Sequence, residues 1–90
     1  MTQIAAKHIL VDTLTEATEL QQKLSEGSSF DQLAQQYSKC PSGRNGGNLG
    51  VFGKGMMVKS FDDASFALDV GQTSEPVQTQ FGYHIIQRTA

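Results

Sequence analysis

Cysteine, proline, tryptophan and charge are all scarce in this sequence. Its 90 residues include one cysteine, two prolines and no tryptophan, and 18% of them are charged. The single cysteine, Cys40, excludes an internal disulfide. No apolar run approaches the roughly 18 residues of a membrane-spanning helix, and residues 1–4 lack the basic and apolar regions of a signal peptide. We therefore expect a cytoplasmic protein, or an extracytoplasmic domain if the chain is part of a larger exported protein.

The overall charge is nearly balanced. The formal net charge of −2 gives no general attraction to nucleic acid or to a membrane surface, so we expect neither as a partner. A chain of 90 residues with 38% hydrophobic side chains is long enough to close one modest core. The length therefore predicts one soluble domain that spans residues 1–90.

The first half of the chain predicts a strand followed by two helices. Residues 3–11 are typical of a strand. Thr13 with Glu16, and Ser29 with Gln32, have the spacing of capping boxes. The first box predicts a helix to about Glu26, and the second predicts a helix with one apolar face. These are its apolar positions: Phe30, Leu33, Ala34 and Tyr37.

The second half begins with a glycine-rich segment, because six of the nine glycines lie between residues 38 and 55. Residues 49–52 predict a short strand, and Ser60 with Asp63 suggests a third helix cap. A further strand at 75–78 and a last strand from Gly82 complete the chain. The order β-α-α-β-α-β-β predicts an α+β domain with an antiparallel sheet and helices packed on it.

The two histidines lie in similar strands at opposite ends of the chain. His8 is followed by Ile9, Leu10 and Val11, and His84 by two isoleucines. Strands at the two ends of a small domain can pair as neighbours in one sheet. If their registers agree, His8 and His84 lie side by side in the middle of that sheet.

Cys40, His8 and His84 permit several interpretations. A Cys-His nucleophile pair would need an orienting acid, which neither histidine has nearby in sequence, and Cys40-Pro41 opens no obvious helix that could activate the thiol. A structural zinc site would need a fourth ligand and a CxxC or HxxxH spacing. A non-covalent polar cluster beneath a bound peptide, or simply a hydrogen-bonded pair of core histidines, fits as well.

Basic residues are concentrated in the middle of the chain. No acidic residue lies between Asp31 and Asp62, and the cations of this stretch are Lys39, Arg44, Lys54 and Lys59. They form either a solvated basic loop or a positive rim around a groove that would favour acidic segments.

Several short sequence blocks stand out along nearly the full length of the chain. They are His8-Ile9-Leu10-Val11, Phe30 to Ala34, Ser38-Lys39-Cys40, Gly46-Gly47-Asn48-Leu49-Gly50, Phe52-Gly53-Lys54-Gly55-Met56-Met57, Phe61 to Leu68, Gly71, Glu75-Pro76-Val77 and Phe81-Gly82-Tyr83-His84-Ile85-Ile86. In their order and spacing these blocks resemble the parvulin family of peptidyl-prolyl cis/trans isomerases, and together they are highly specific.

The resemblance implies a role for each matching residue. His8 and His84 match the hydrogen-bonded histidines of the site floor, Thr79 matches a hydroxyl that supports them, and Cys40 matches the cysteine that faces the isomerising bond. The apolar residues that would receive the proline ring are Leu49, Met57 and Phe61. Phe81 occupies a position that varies in the family, and we group it with the substrate-binding residues.

The resemblance also implies a fold and a function. We expect the FKBP-like fold of the family, with a four-stranded antiparallel sheet and three to four helices, acting as a monomer without metal or cofactor. It would rotate X-Pro bonds non-covalently in flexible protein segments and so assist folding. The short acidic segment 12–16 replaces the long basic loop of phosphate-directed members, so phospho-specificity is not expected. The rival hypothesis is a non-catalytic chaperone module that grips peptides in the same groove.

Overall fold

The chain forms one sheet with helices on both of its faces. The computed structural model describes residues 2–90. Its elements, in chain order, are β1 (Gln3–Val11), α1 (Leu14–Ser25), α2 (Phe30–Tyr37), a 3₁₀ helix (Pro41–Asn45), β2 (Asn48–Gly53), α3 (Lys59–Ala67), β3 (Val77–Thr79) and β4 (Gly82–Arg88). The predicted α+β class and the order β-α-α-β-α-β-β are confirmed.

The first and last strands are the two central strands of the sheet. The order is β2-β1-β4-β3, and each neighbouring pair is antiparallel. β1 and β4 pair from Ala6 opposite Arg88 to Val11 opposite Tyr83. This arrangement confirms that the strands at the two ends of the chain are neighbours.

Alternation along the central strands separates two cores. Ile9 and Ile85 belong to the face that packs on α1 and α2. Ala6 and Ile86 belong to the opposite face, where α3 contributes Phe61. Because successive side chains of a strand point to opposite faces, His8 and His84 lie on the α3 face.

The first two helices begin as the sequence predicts. The hydroxyl of Thr13 accepts the Glu16 N–H at 3.2 Å, and that of Ser29 accepts the Gln32 N–H at 3.4 Å. Each bond satisfies one of the free N–H groups of a first helical turn. Gly27, with φ +101°, follows the end of α1 in a backbone conformation that favours glycine.

The predicted cap of α3 is wrong. The helix begins at Lys59, Val58 occupies the cap position without a side-chain hydrogen bond, and Ser60 lies inside the first turn. The carboxylate of Asp63 pairs with Lys59 instead, at 2.8 Å. The helix ends at Ala67, so Gly71 lies in a later turn rather than at its end.

The other boundaries shift only slightly. The strand expected at 75–78 is Val77–Thr79, and Pro76 stands just before its start, where a residue without an N–H is tolerated. Among the helices of residues 2–90, none combines the length and apolar character needed to cross a membrane.

Candidate active site

The two histidines make direct contact at the centre of the sheet. Their Nδ1 atoms are 2.9 Å apart, and their rings stack with centroids 5.1 Å apart and an interplanar angle of 18°. In the strand register His84 is opposite Leu10 and His8 is opposite Ile86, so the histidines are diagonal neighbours on one face. Both side chains are buried.

The Thr79 hydroxyl holds the outer nitrogen of one histidine. Its Oγ1 lies 2.7 Å from Nε2 of His84 and accepts the N–H of Phe81 at 3.2 Å. β3 and β4 form a hairpin whose two-residue loop carries Phe81, with Thr79 opposite Gly82. The tight hairpin therefore fixes the hydroxyl beneath the imidazole.

Ser42 connects the other histidine to the cysteine. Its Oγ lies 3.2 Å from Nε2 of His8 and donates to Sγ of Cys40 at 3.3 Å. Ser42 was not predicted as a site residue, because a serine in a glycine-rich segment carries no signal of its own. The 3₁₀ helix that begins at Pro41 brings Ser42 under Cys40, so the expectation of no helix after Cys40 is wrong.

Donation from the Ser42 hydroxyl to Cys40 sets the direction of the other hydrogen bonds in this chain of groups. The single hydroxyl proton of Ser42 goes to sulfur, so its oxygen accepts from Nε2–H of His8. Nδ1 of neutral His8 then accepts from Nδ1–H of His84. Nε2 of His84 accepts in turn from Thr79. All four ring nitrogens have a partner, and His8 carries its proton on the side of Cys40.

Burial keeps this pair neutral. Removal from water, and secondarily the charge of His84, lowers the pKa of His8 from 6.5 to about 4. Burial also lowers the pKa of His84. Neutral imidazoles at pH 7 have one donor and one acceptor each, which is what the directed chain requires.

An apolar groove of 470 Å³ lies above the histidines. The edge of the Phe61 ring meets both imidazoles, with centroids 5.4 Å from His8 and 5.2 Å from His84. The groove includes every predicted site residue except Thr79, which supports it from below. Its lining residues are His8, Leu10, Lys39, Cys40, Pro41, Leu49, Met56, Met57, Val58, Phe61, Phe81 and His84.

Two apolar side chains that line the groove are largely exposed to solvent. Phe81 is 59% exposed and Met56 is 68% exposed. Met56, Val58 and Leu10 were not predicted as site residues. Met56 follows a glycine-rich turn, and such methionines are common on adaptable apolar binding surfaces, so a signal for it was present.

The basic rim is largely paired with carboxylates. Lys39 lies 3.2 Å from Asp12, and Asp63 pairs with Lys59 at 2.8 Å and Lys54 at 3.9 Å. The hydrogen bond from Lys59 lowers the pKa of Asp63. Of the predicted rim, Arg44 is the cation without an ion pair among residues 2–90.

This geometry does not suit a Cys-His nucleophile pair or a metal site. Cys40 reaches His8 through Ser42, and no carboxylate orients either histidine within residues 2–90. The same residues bring together no group of three side chains that could hold a metal ion.

Comparison with known proteins identifies the family. The family model described as "Rotamase: PPIC-type PPIASE domain" matches residues 3–90. The chain belongs to this family. The predicted parvulin resemblance is thereby confirmed, and the chain carries a peptidyl-prolyl isomerase domain.

Relatives of two lengths match this parvulin domain. It is 54% identical over 87 residues to a foldase protein PrsA of Geobacillus sp., covering 96% of this chain and 32% of that protein. The solution structure of NmPin, the parvulin of Nitrosopumilus maritimus, matches at 47% identity with a TM-score of 0.90, covering 100% of this chain and 98% of the other. The domain thus spans about a third of the PrsA relatives and nearly all of NmPin.

A chaperone structure matches as well. It belongs to a study of two SurA-like chaperones of Campylobacter jejuni, the virulence factor PEB4 and the periplasmic protein Cj1289. The matched chain is 41% identical to this one, with a TM-score of 0.93. The match covers 98% of this chain and 38% of that one. Parvulin domains of this kind therefore occur both in short chains and within longer chaperones.

Proposed function

We propose that this parvulin domain rotates X-Pro bonds by non-covalent catalysis in the groove above the histidine pair. One observation carries the proposal: an apolar wall and a floor of neutral, fully hydrogen-bonded imidazoles meet at Cys40. Leu49, Met57 and Phe61 would receive the proline ring. Cys40 would then face the bond that rotates.

The reaction needs no bond between enzyme and substrate. The barrier to X-Pro rotation, about 20 kcal/mol, arises because the twisted amide loses its resonance and its charge separation. An enzyme accelerates the rotation if it binds the twisted amide better than the planar one. A dry groove favours the less polar twisted state, while the pocket holds the proline ring as the preceding carbonyl turns.

The hydrogen bonds around Cys40 favour this non-covalent mechanism. A nucleophilic thiol needs a base to remove its proton. When Ser42 donates to sulfur, His8 presents an N–H on this side and has no free nitrogen to accept that proton. Because sulfur already accepts from Ser42, the thiol proton is free to act as a weak donor toward the proline nitrogen, whose lone pair is released as the amide twists.

Further proposals concern the oligomeric state, the substrate range and the location of the protein. We expect residues 1–90 to fold as one monomeric unit, and the near-complete match to NmPin supports this. The short acidic segment after β1 supports a lack of phospho-specificity, and the net charge of −2 supports the absence of nucleic-acid or membrane partners.

The chaperone relatives support a role in protein folding and the extracytoplasmic alternative to the predicted cytoplasmic location. Cell fractionation tests that location.

Exchange NMR on short X-Pro peptides tests the proposed activity. Substoichiometric protein should speed cis/trans exchange for peptides with alanine, leucine, glutamate or phosphoserine before proline. A marked preference for phosphoserine would contradict the proposed substrate range. Line shifts without faster exchange would instead support the non-catalytic chaperone module.

A further inference from the structure

A buried carboxylate lies directly behind the groove. Asp62, in the first turn of α3, is 5% exposed, and its Oδ2 accepts the N–H of Gly55 at 3.0 Å. Its own backbone N–H donates to the carbonyl of Val58 at 2.9 Å. One residue therefore holds both the middle and the end of the loop formed by residues 53–58.

This loop supplies one wall of the groove through Met56, Met57 and Val58. Within the loop, the Met56 N–H donates to the Gly53 carbonyl at 3.3 Å and the Gly53 N–H contacts Sδ of Met56 at 3.2 Å, and Gly53 also pairs with Gln3 of β1. Lys54 and Asp63 also join the loop to α3, but an exposed ion pair at 3.9 Å contributes little. Met57 packs against the core on the α3 face, and Asp62 supplies the side-chain hydrogen bond that ties the middle of the loop to α3.

Stability alone does not explain an acid at this position. Oδ1 of Asp62 is buried and has no hydrogen-bond partner among residues 2–90. Burial of a carboxylate with one N–H partner is unfavourable, and a neutral side chain of similar size would usually be at least as stable. The nearest cations, Lys54 and Lys59, pair with Asp63 on the solvent side instead.

We propose that Asp62 is the positioning residue of the proline pocket. The residue before it, Phe61, contacts both histidines with its ring. Asp62 thus fixes the wall formed by Met56 and Met57 relative to the ring of Phe61. The first turn of α3 carries Phe61, and the same turn is hydrogen-bonded to the loop through Asp62. Gly55 suits this contact, since its φ of +92° favours glycine and turns its N–H toward the carboxylate. The inference rests on the proposed function, because it concerns how the groove holds proline.

Three variants and two measurements test the proposal. Asp62→Ala removes the acceptor for Gly55, and Asp62→Asn keeps an oxygen that can accept the same N–H. Asp63→Asn is the matched control, because it removes an adjacent exposed carboxylate and its weak ion pair with Lys54 but leaves the Gly55–Asp62 hydrogen bond intact. Isomerisation kinetics give KM and kcat for each, and NMR gives the peptide Kd and the exchange rate of the Gly55 amide.

We expect Asp62→Ala to raise KM and Kd about tenfold, with kcat changed by less than about threefold and a faster-exchanging Gly55 amide. Asp62→Asn should restore most of the affinity and the amide protection, and Asp63→Asn should match the parent protein. A purely structural role would reduce the folded fraction, which lowers the apparent kcat and leaves KM unchanged; that result overturns the proposal. A raised KM with an unchanged Gly55 amide overturns it too. If the parent protein binds peptide but does not catalyse, the proposed function fails, and the Kd series still decides the role of Asp62.

Discussion

The histidine pair stabilises the protein only while both rings are neutral. Each ring nitrogen has one partner, and the inner bond joins a donor Nδ1 to an acceptor Nδ1. A second proton on His8 would place two N–H groups against each other in a buried site. The site is therefore sensitive to acid through folding as well as through activity.

Acidification should lower the free energy of unfolding through His8. Its pKa is about 4 in the folded protein and 6.5 as the ordinary value, so between these pH values the unfolded chain binds the proton and the folded chain does not. The stabilisation is complete above about pH 6.5 and falls as the pH drops toward 4, by on the order of 3 kcal/mol. Denaturant titrations across this range measure the slope.

The variant His8→Ala provides the control for this slope. It should lose about 2–4 kcal/mol of stability at neutral pH, because it leaves a cavity and unpaired groups on His84 and Ser42. The remaining dependence on pH should be shallower than in the parent protein. Parallel pH slopes, or an unchanged thermal midpoint with lost activity, would contradict the structural role of the pair.

Cys40 should be replaceable by serine. In the non-covalent mechanism it contributes a weak donor, which a hydroxyl can replace, so Cys40→Ser should retain a rate within about tenfold of the parent. Phe61→Ala, which removes the aromatic ring of the proline pocket, should lower the rate more than Cys40→Ser does. Exchange NMR on one alanine-proline peptide compares the three proteins. Equal losses in the two variants would indicate a chemical role for the sulfur.

At the scale of elements, the glycine-rich segment is pressed against β1. The His8 N–H donates to the Gly47 carbonyl at 2.9 Å, and the Gly47 N–H donates to the Ser42 carbonyl at 2.9 Å. A Cβ on Gly47 would lie 2.2 Å from the backbone oxygen of His8, and φ is +82°. Gly47 thus brings the segment that carries Cys40 close to the histidine strand.

Gly47→Ala should therefore damage both fold and site. We expect a loss of about 3 kcal/mol or more, together with shifted imidazole NMR signals of His8. Gly50→Ala is the matched control: it has φ +71°, yet nothing lies within 4 Å of the added Cβ. It should cost only about 1–2 kcal/mol of backbone strain. Similar small losses in both variants would show that the contact at Gly47 can relax.

Local sequence signals predicted the elements that depend on local contacts. The caps at Thr13 and Ser29 were predicted because each hydroxyl bonds an N–H three residues later. The cap at Ser60 failed for the complementary reason: α3 begins beside Val58, whose carbonyl binds the N–H of Asp62. This i to i−4 bond uses backbone groups alone, so no capping side chain marks the boundary in the sequence.

The same distinction between predicted and missed features applies to the site, whose residues come together only in the folded molecule. The strand pattern and family resemblance predicted that His8 and His84 would meet, although the diagonal register came from the structure. Ser42 was missed because it acts through a hydrogen bond to His8, 34 residues away, and Asp62 because its side chain reaches back over the preceding turn to Gly55. Residue type and local spacing carry no record of such pairings.

Whole-molecule electrostatics should have little influence on substrate choice. The protein carries a net charge of −2, and Asp12 and Asp63 pair with three of the four rim cations. Exposed charges of this kind are screened within about 8 Å at physiological salt. The groove therefore presents little net positive field to an approaching peptide.

We accordingly expect glutamate and alanine before proline to give kcat/KM values within about threefold of each other, with a weak salt dependence. The double variant Asp12→Asn/Asp63→Asn leaves Lys39, Lys54 and Lys59 without their carboxylates, so it should raise the rate for the glutamate peptide at low salt and leave the alanine peptide unchanged. Lys23→Gln, which removes a cation from α1, serves as a charge control. The parent enzyme would contradict the expectation by strongly preferring glutamate at low salt and losing that preference as salt is added, because the basic residues would then select acidic segments despite their partners.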